Sequence, residues 1–220
     1  MMHSNEVAER IEEIGIVPCA RAATRDQVRF AAETLYAARI PVLEVPLTVP
    51  RAAEVIGALV EQFPDMIVGA GTVLDETEAQ QCLDAGARFI TSPGFVASVV
   101  ACARRADTCV FPGAMTPSEV IAAWKAGADF VKIFPAATAG GPHYLRALQA
   151  PLPQVPLIAT GGVNQLTAFD YILAGARAIG VGGEMLPREA LEQRQADRIH
   201  ELARRFLLMV KEARAQRNGE

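Results

Sequence analysis

The chain has 220 residues, 51% of them apolar and 21% charged, with a formal net charge of −4. That length suits one large domain with a substantial core, and the slightly acidic balance excludes a basic face for nucleic acid or an anionic membrane. No apolar run approaches the ~18 residues of a membrane span, and the charged opening MMHSNEVAERIEE lacks the apolar stretch of a secretory leader.

In chain order, residues 4–14 predict a helix ahead of the first strand, placed to cover a barrel floor. Eight β-rich runs follow: IVPCA (16–20), VLEV (42–45), MIVGA (66–70), RFIT (88–91), TCVF (108–111), DFVKIF (129–134), VPLIA (155–159) and RAIGV (177–181). They recur every ~20 to 26 residues, the length of one strand, a crossover helix and two loops. Between them, Thr24 with Gln27, Asp75 with Glu78 and Thr116 with Glu119 read as capping boxes, the last with Pro117 at the first helical position. AGAR (85–88), AGAD (126–129) and AGAR (174–177) end three helices, each glycine suited to a left-handed C-cap with a strand close behind.

This cycle predicts an α/β fold, a (β/α)8 TIM barrel with an extra N-terminal helix. The expected domain is single, 1–220, with its core at 10–190 and one long final helix at 188–216. No Gly-, Ser- or Pro-rich linker divides the chain. A doubly wound open sheet is the alternative, but no GxGxxG opens the first helix. Cys19, Cys82, Cys102 and Cys109 form no CxxC and read as reduced thiols of a cytoplasmic protein.

Barrel active sites lie where strands end and βα loops begin, so those junctions carry the functional reading. In ADFVKIFP (128–135), alternation puts Phe130, Lys132 and Phe134 on one face and Val131 and Ile133 on the other. If Val131 and Ile133 pack against helices, Lys132 points into the barrel, where an ammonium is costly to desolvate. The chain has only Lys125, Lys132 and Lys211, its other basic residues being Arg, and a lysine amine can form a Schiff base where Arg cannot. Glu44, in VLEVPLT, shares a face with Val42 near the end of its own strand. Two readings stay open for this pair: a buried ion pair, or a nucleophile beside an acid/base.

The strand-end loops supply a cradle. GAGT (69–72), TSPGF (91–95) and FPGAMT (111–116) follow the third, fourth and fifth strands. ATGGVN (159–164) and GVGGE (180–184) follow the seventh and eighth, where free N–H groups at Gly161, Gly162, Gly182 and Gly183 and a helix start near Asn164 could hold a phosphate. Arg21, just after the first strand, suits either a substrate anion or solvent. His3, His143 and His200 are too scattered for a metal site, so no metal or other cofactor is expected. Trp124 reads as packing.

Taken in order, LEVPLT with Glu44, GAGT with Thr72, TSPG with Pro93, PGAMT with Gly113 and Thr116, VKIFPA with Lys132 and Phe134, and TGGV with Gly161 and Gly162 resemble one family. It is the 2-keto-3-deoxy-6-phosphogluconate (KDPG) / 4-hydroxy-2-oxoglutarate (KHG) aldolase family, matched over about residues 10–190. The resemblance implies a metal-free class I aldolase that cleaves a small 2-keto-3-deoxy sugar acid to pyruvate and an aldehyde. Lys132 would form the imine and Glu44 would move protons. Thr72, Pro93, Phe134 and Thr160 would shape the pyruvate end, and Arg21 would meet a substrate anion. It also implies a homotrimer.

Two positions depart from the phosphogluconate pattern. Thr48 stands where an Arg is usual four residues after the glutamate, and Glu184 stands where a Ser follows the second Gly-Gly. A lost cation and an added carboxylate weaken phosphate binding unless Glu184 faces away. EVPLTVP and VKIFPAATAGGPHYLRAL resemble the phosphogalactonate-type branch, whereas Thr160 resembles the gluconate branch. The alternatives are a barrel isomerase or epimerase with Glu44 as base, and a catalytically silent scaffold.

Overall fold

The computed structural model describes residues 3–219, which begin with α1 (Ser4–Ile14) and continue as alternating strands and helices. The strands are β1 (Ile16–Pro18), β2 (Val42–Pro46), β3 (Ile67–Gly71), β4 (Phe89–Thr91), β5 (Cys109–Phe111), β6 (Gly113–Ala114), β7 (Val131–Ile133), β8 (Leu157–Thr160) and β9 (Ala178–Val181). The intervening helices are α2 (Arg25–Ala37), α3 (Ala52–Gln62), α4 (Glu76–Asp84), α5 (Ala97–Arg105), α6 (Pro117–Lys125), α7 (Gly141–Gln149) and α8 (Ala168–Leu173). Two more, α9 (Arg188–Glu192) and α10 (Ala196–Asn218), complete the described chain.

Every ladder is parallel, and together they make a ring. β2 to β5 pair in sequence, as do β6 to β9, and β9 pairs with β1. β5 and β6 are two halves of the fifth barrel strand, split at Pro112, which has no N–H to give a ladder. β5 pairs with β4 and β6 with β7, so the split strand joins the two runs. At the remaining seam, a parallel bridge joins Cys19 to Glu44, and the Ala20 N–H donates to the Glu44 carbonyl at 2.9 Å. The expected (β/α)8 barrel is the architecture found.

Period-two alternation sorts the strand residues into two cores. Val17, Val42, Ile67, Phe89, Phe111, Phe130, Ile158 and Ala178 face inward, and Val7 and Ile11 of α1 close over them as the floor. Leu43, Val45, Val68, Ile90, Val110, Val131 and Ile133 belong to the larger core under the helices. Inside, the rings of Phe89 and Phe111 stack at 4.9 Å, and Phe130 meets Phe111 edge-on at 6.1 Å. Burial of each such ring contributes about 1.5–3 kcal/mol, so the floor is a major anchor of the fold.

The helix ends follow the caps expected from sequence. Thr116 and Glu119 exchange both bonds of a capping box, and Gly86, Gly127 and Gly175 take φ of 91°, 94° and 110°. At Thr24 and Asp75 the side chain caps the helix as expected, while the reaching Gln27 and Glu78 take the N–H one residue earlier, at Ala23 and Leu74.

Two expectations need correction. The long final helix at 188–216 is two helices, α9 and α10. Arg194 breaks them with φ 53°, and the Gln195 N–H closes the turn onto the Ala190 carbonyl at 2.9 Å. Arg194 lies 5.8 Å over the Phe30 ring, a cation–π contact that favours the turn over continued helix. The helix expected to start near Asn164 starts at Ala168. Asn164 instead holds a turn, its Oδ1 accepting from the Leu166 N–H at 2.9 Å.

Candidate active site

The parity that sends Phe130 into the floor also sends Lys132 inward, one step closer to the C-terminal mouth. β7 holds it between two neighbours, with Gly113 and Ile158 as its register partners. On β2 the same alternation carries Val42 to the floor and Glu44 above it. Both side chains are buried, and Lys132 Nζ lies 3.7 Å from Glu44 Oε2 and 5.5 Å from the centre of the Phe134 ring.

Space for these polar groups comes from missing side chains. A Cβ on Gly71 would collide with Glu44 Oε1, and one on Gly180 would collide with Thr160 Oγ1. On the remaining side of Glu44, the Cys19 thiol donates to Oε1 at 3.3 Å. Burial first, and then the charge of Glu44, push the Cys19 thiol far above its ordinary range, so it stays protonated and acts as a donor.

Above the pair opens a cavity of about 400 Å³ at the strand ends. It brings together nine of the expected residues, Arg21, Glu44, Lys132, Phe134, Thr160, Gly161, Gly162, Gly182 and Gly183, from five different strand ends. Thr72 and Pro93 follow the ends of β3 and β4 and do not line this cavity. Thr72 takes a left-handed φ of 61°, and the Pro93 carbonyl packs into the space left open by Gly113.

Cys19 and Thr138 line the cavity without having been singled out from the sequence. Parity could have found Cys19, because it shares a face with the inward Val17. Thr138, in the loop after β7, carries no periodic signal.

The far end of the cavity is a backbone cradle. Among the described residues, the N–H groups of Gly161, Gly162 and Gly183 donate to no protein acceptor. Gly161 and Gly162 have φ of 90° and 80°, a conformation that needs glycine. Arg21 makes no ion pair among the described residues and lies over Gly182, while Glu184 is an exposed carboxylate on the same cavity. Such an arrangement can hold an anion through free N–H groups and one guanidinium, with Glu184 opposing it. No group of three or more His, Cys, Asp or Glu side chains suited to a metal occurs among the described residues, nor any helix long and apolar enough to cross a membrane.

The family model for "KDPG and KHG aldolase" matches residues 7–202. The chain belongs to the KDPG/KHG aldolase family. It is 37% identical over 174 residues to the KHG/KDPG aldolase of Escherichia coli K12, covering 79% of this chain and 81% of that protein. Among solved structures, a native KDPGal structure superposes with a TM-score of 0.83 at 30% identity, covering 90% of this chain and 95% of the other. A KDPG aldolase from Legionella pneumophila, in which pyruvate was captured as a covalent carbinolamine intermediate, superposes at 0.82 with 32% identity, covering 90% and 96%. The lysine–glutamate pair of this family member therefore sits in a fold shared with a protein that binds pyruvate covalently.

Proposed function

We propose that this chain is a class I aldolase that cleaves KDPG, 4-hydroxy-2-oxoglutarate or both, reversibly, to pyruvate and glyceraldehyde 3-phosphate or glyoxylate. The observation that carries the reading is a buried primary amine 3.7 Å from a buried carboxylate, at the base of a strand-end cavity. A purely structural ion pair has no need of a cavity above it, or of a glycine on the neighbouring strand that clears space for its carboxylate.

The reaction follows from the groups present. The Lys132 amine adds to the C2 carbonyl, and Glu44 delivers and removes the protons that turn the carbinolamine into an iminium with loss of water. The iminium draws in the electron pair of the C3–C4 bond as a base takes the C4 hydroxyl proton, which releases the aldehyde. The resulting enamine is protonated at C3, and water returns across the imine to free pyruvate and the amine. Phe134 and Thr160 form the wall at the pyruvate end, with Thr72 and Pro93 at the ends of β3 and β4. Arg21 takes a substrate anion, and Gly161, Gly162, Gly182 and Gly183 offer N–H groups to a phosphate.

A second reading, a KDPGal-type sugar acid as substrate, is favoured by one observation: EVPLTVP and VKIFPAATAGGPHYLRAL resemble the phosphogalactonate-type branch. A barrel isomerase with Glu44 as base would need no covalent lysine. We further propose a single domain over 1–220, a cytoplasmic location and a homotrimer. Support for self-association comes from apolar side chains left exposed near strand ends and on α6, Leu74, Met115 and Ile121.

The test is borohydride reduction with pyruvate, followed by intact and peptide mass spectrometry. A stable pyruvate adduct on the Lys132 peptide, absent from Lys132→Met, is the expected result. An unmodified protein would return Lys132 to an ion pair with Glu44, and isomerase or epimerase activity surviving in Lys132→Met would favour the non-covalent reading.

A further inference from the structure

We infer that Cys19 is a positioning residue for this reaction, its thiol fixing one oxygen of Glu44 so that the other is presented to Lys132. The inference rests on the aldolase reading above. The two oxygens of Glu44 are divided between two partners: Oε1 accepts from Cys19 Sγ at 3.3 Å, and Oε2 is the one 3.7 Å from Lys132 Nζ. Among the described residues, Oε1 has no other hydrogen-bond donor. Gly71 leaves room for that oxygen but cannot hold it, since it has no side chain.

The thiol is well placed for the task. Cys19 is 6% exposed, and its N–H donates to the Val181 carbonyl at 2.9 Å, which ties it to β9. It is also bridged to Glu44 itself across the β1–β2 seam, so donor and carboxylate ride on paired backbone. Buried and beside an anion, the thiol keeps its proton and so adds no second negative charge to the site. A carboxylate that must give and take protons at a fixed amine gains from being held in one rotamer. A Val or Ala at position 19 would leave Oε1 with no donor and the carboxylate free to turn.

Four proteins test this: wild type, Cys19→Ala, Cys19→Val and Cys19→Ser, each assayed for kcat, KM, the pH profile of kcat, thermal unfolding and borohydride trapping of pyruvate. Alanine and valine are expected to lower kcat about fivefold and leave KM within about twofold, with pyruvate still trapped on Lys132. The acidic limb of the profile is expected to move to higher pH, because a carboxylate that loses a donor holds its proton more tightly. Serine keeps a donor and restores most of both changes. Wild-type kcat and an unmoved acidic limb in Cys19→Ala would overturn the inference, as would Cys19→Ser being as impaired as Cys19→Ala. If wild-type protein traps no pyruvate, the aldolase reading itself fails and takes this role of Cys19 with it. Trapping in wild type with an unmoved limb in Cys19→Ala refutes the role of Cys19 alone.

Discussion

At the floor of the barrel, α1 lays Val7 and Ile11 against Phe89, Phe111 and Phe130, and the interior there is apolar. One inward position further along β2 and β7, the same interior holds Glu44 and Lys132. A cleft of about 440 Å³ opens beneath the floor as well, but three of its charged groups are already committed, Arg104 bonded to Asp129 at 3.2 Å and Glu12 to Arg177 at 2.8 Å. At the mouth, by contrast, Arg21 and several glycine N–H groups have no protein partner among the described residues. Stability and chemistry are thus stacked along one axis, and substitutions at the two ends are expected to separate cleanly.

Lys132→Met should have the largest effect, a loss of more than about 10⁴-fold in kcat with the amine gone, read by pyruvate release. Phe111→Ala at the floor should cost about 3–5 kcal/mol in urea unfolding while the folded fraction keeps near-normal KM. A Phe111→Ala protein that lost activity faster than structure would break the division between the two ends. Gly71→Ala sharpens it from the mouth side. The added methyl collides with Glu44 Oε1, so kcat should fall about 10- to 100-fold with a smaller change in unfolding. Glu184→Ser should have the smallest effect, lowering KM for a phosphorylated substrate about threefold against its unphosphorylated counterpart. That carboxylate is exposed and its field is screened.

Much of this was legible in the sequence because it depends on local periodicity. The parity of DFVKIF puts Lys132 on the face of Phe130, opposite Val131 and Ile133, and VLEV puts Glu44 on the face of Val42. The Ala-Gly-Ala phrases and Thr116-Pro117 mark helix ends through backbone conformation alone. What stayed hidden depends on contacts distant in sequence. Cys19 reads as one more small strand residue until β1 and β2 meet at the seam. The break at Arg194 depends on Phe30 lying under it, more than 160 residues earlier. Thr72 and Pro93 stand at strand ends as expected, but the lining of the cavity is set by how the loops fold over it.

The ring has a temporal consequence. Ile16 pairs with Ile179, and Val7 and Ile11 of α1 share a cluster with Ile158 and Ala178 as well as with Phe89 and Phe111, so the first segments made complete their contacts only when the last strands are present. Closing such a long loop is slow compared with forming local βα units. On the ribosome, β2 to β5 can assemble before the ring closes, with apolar Val7, Ile11 and Val17 only partly covered until β9 emerges. That interval is when the nascent chain has the most sticky surface to shield.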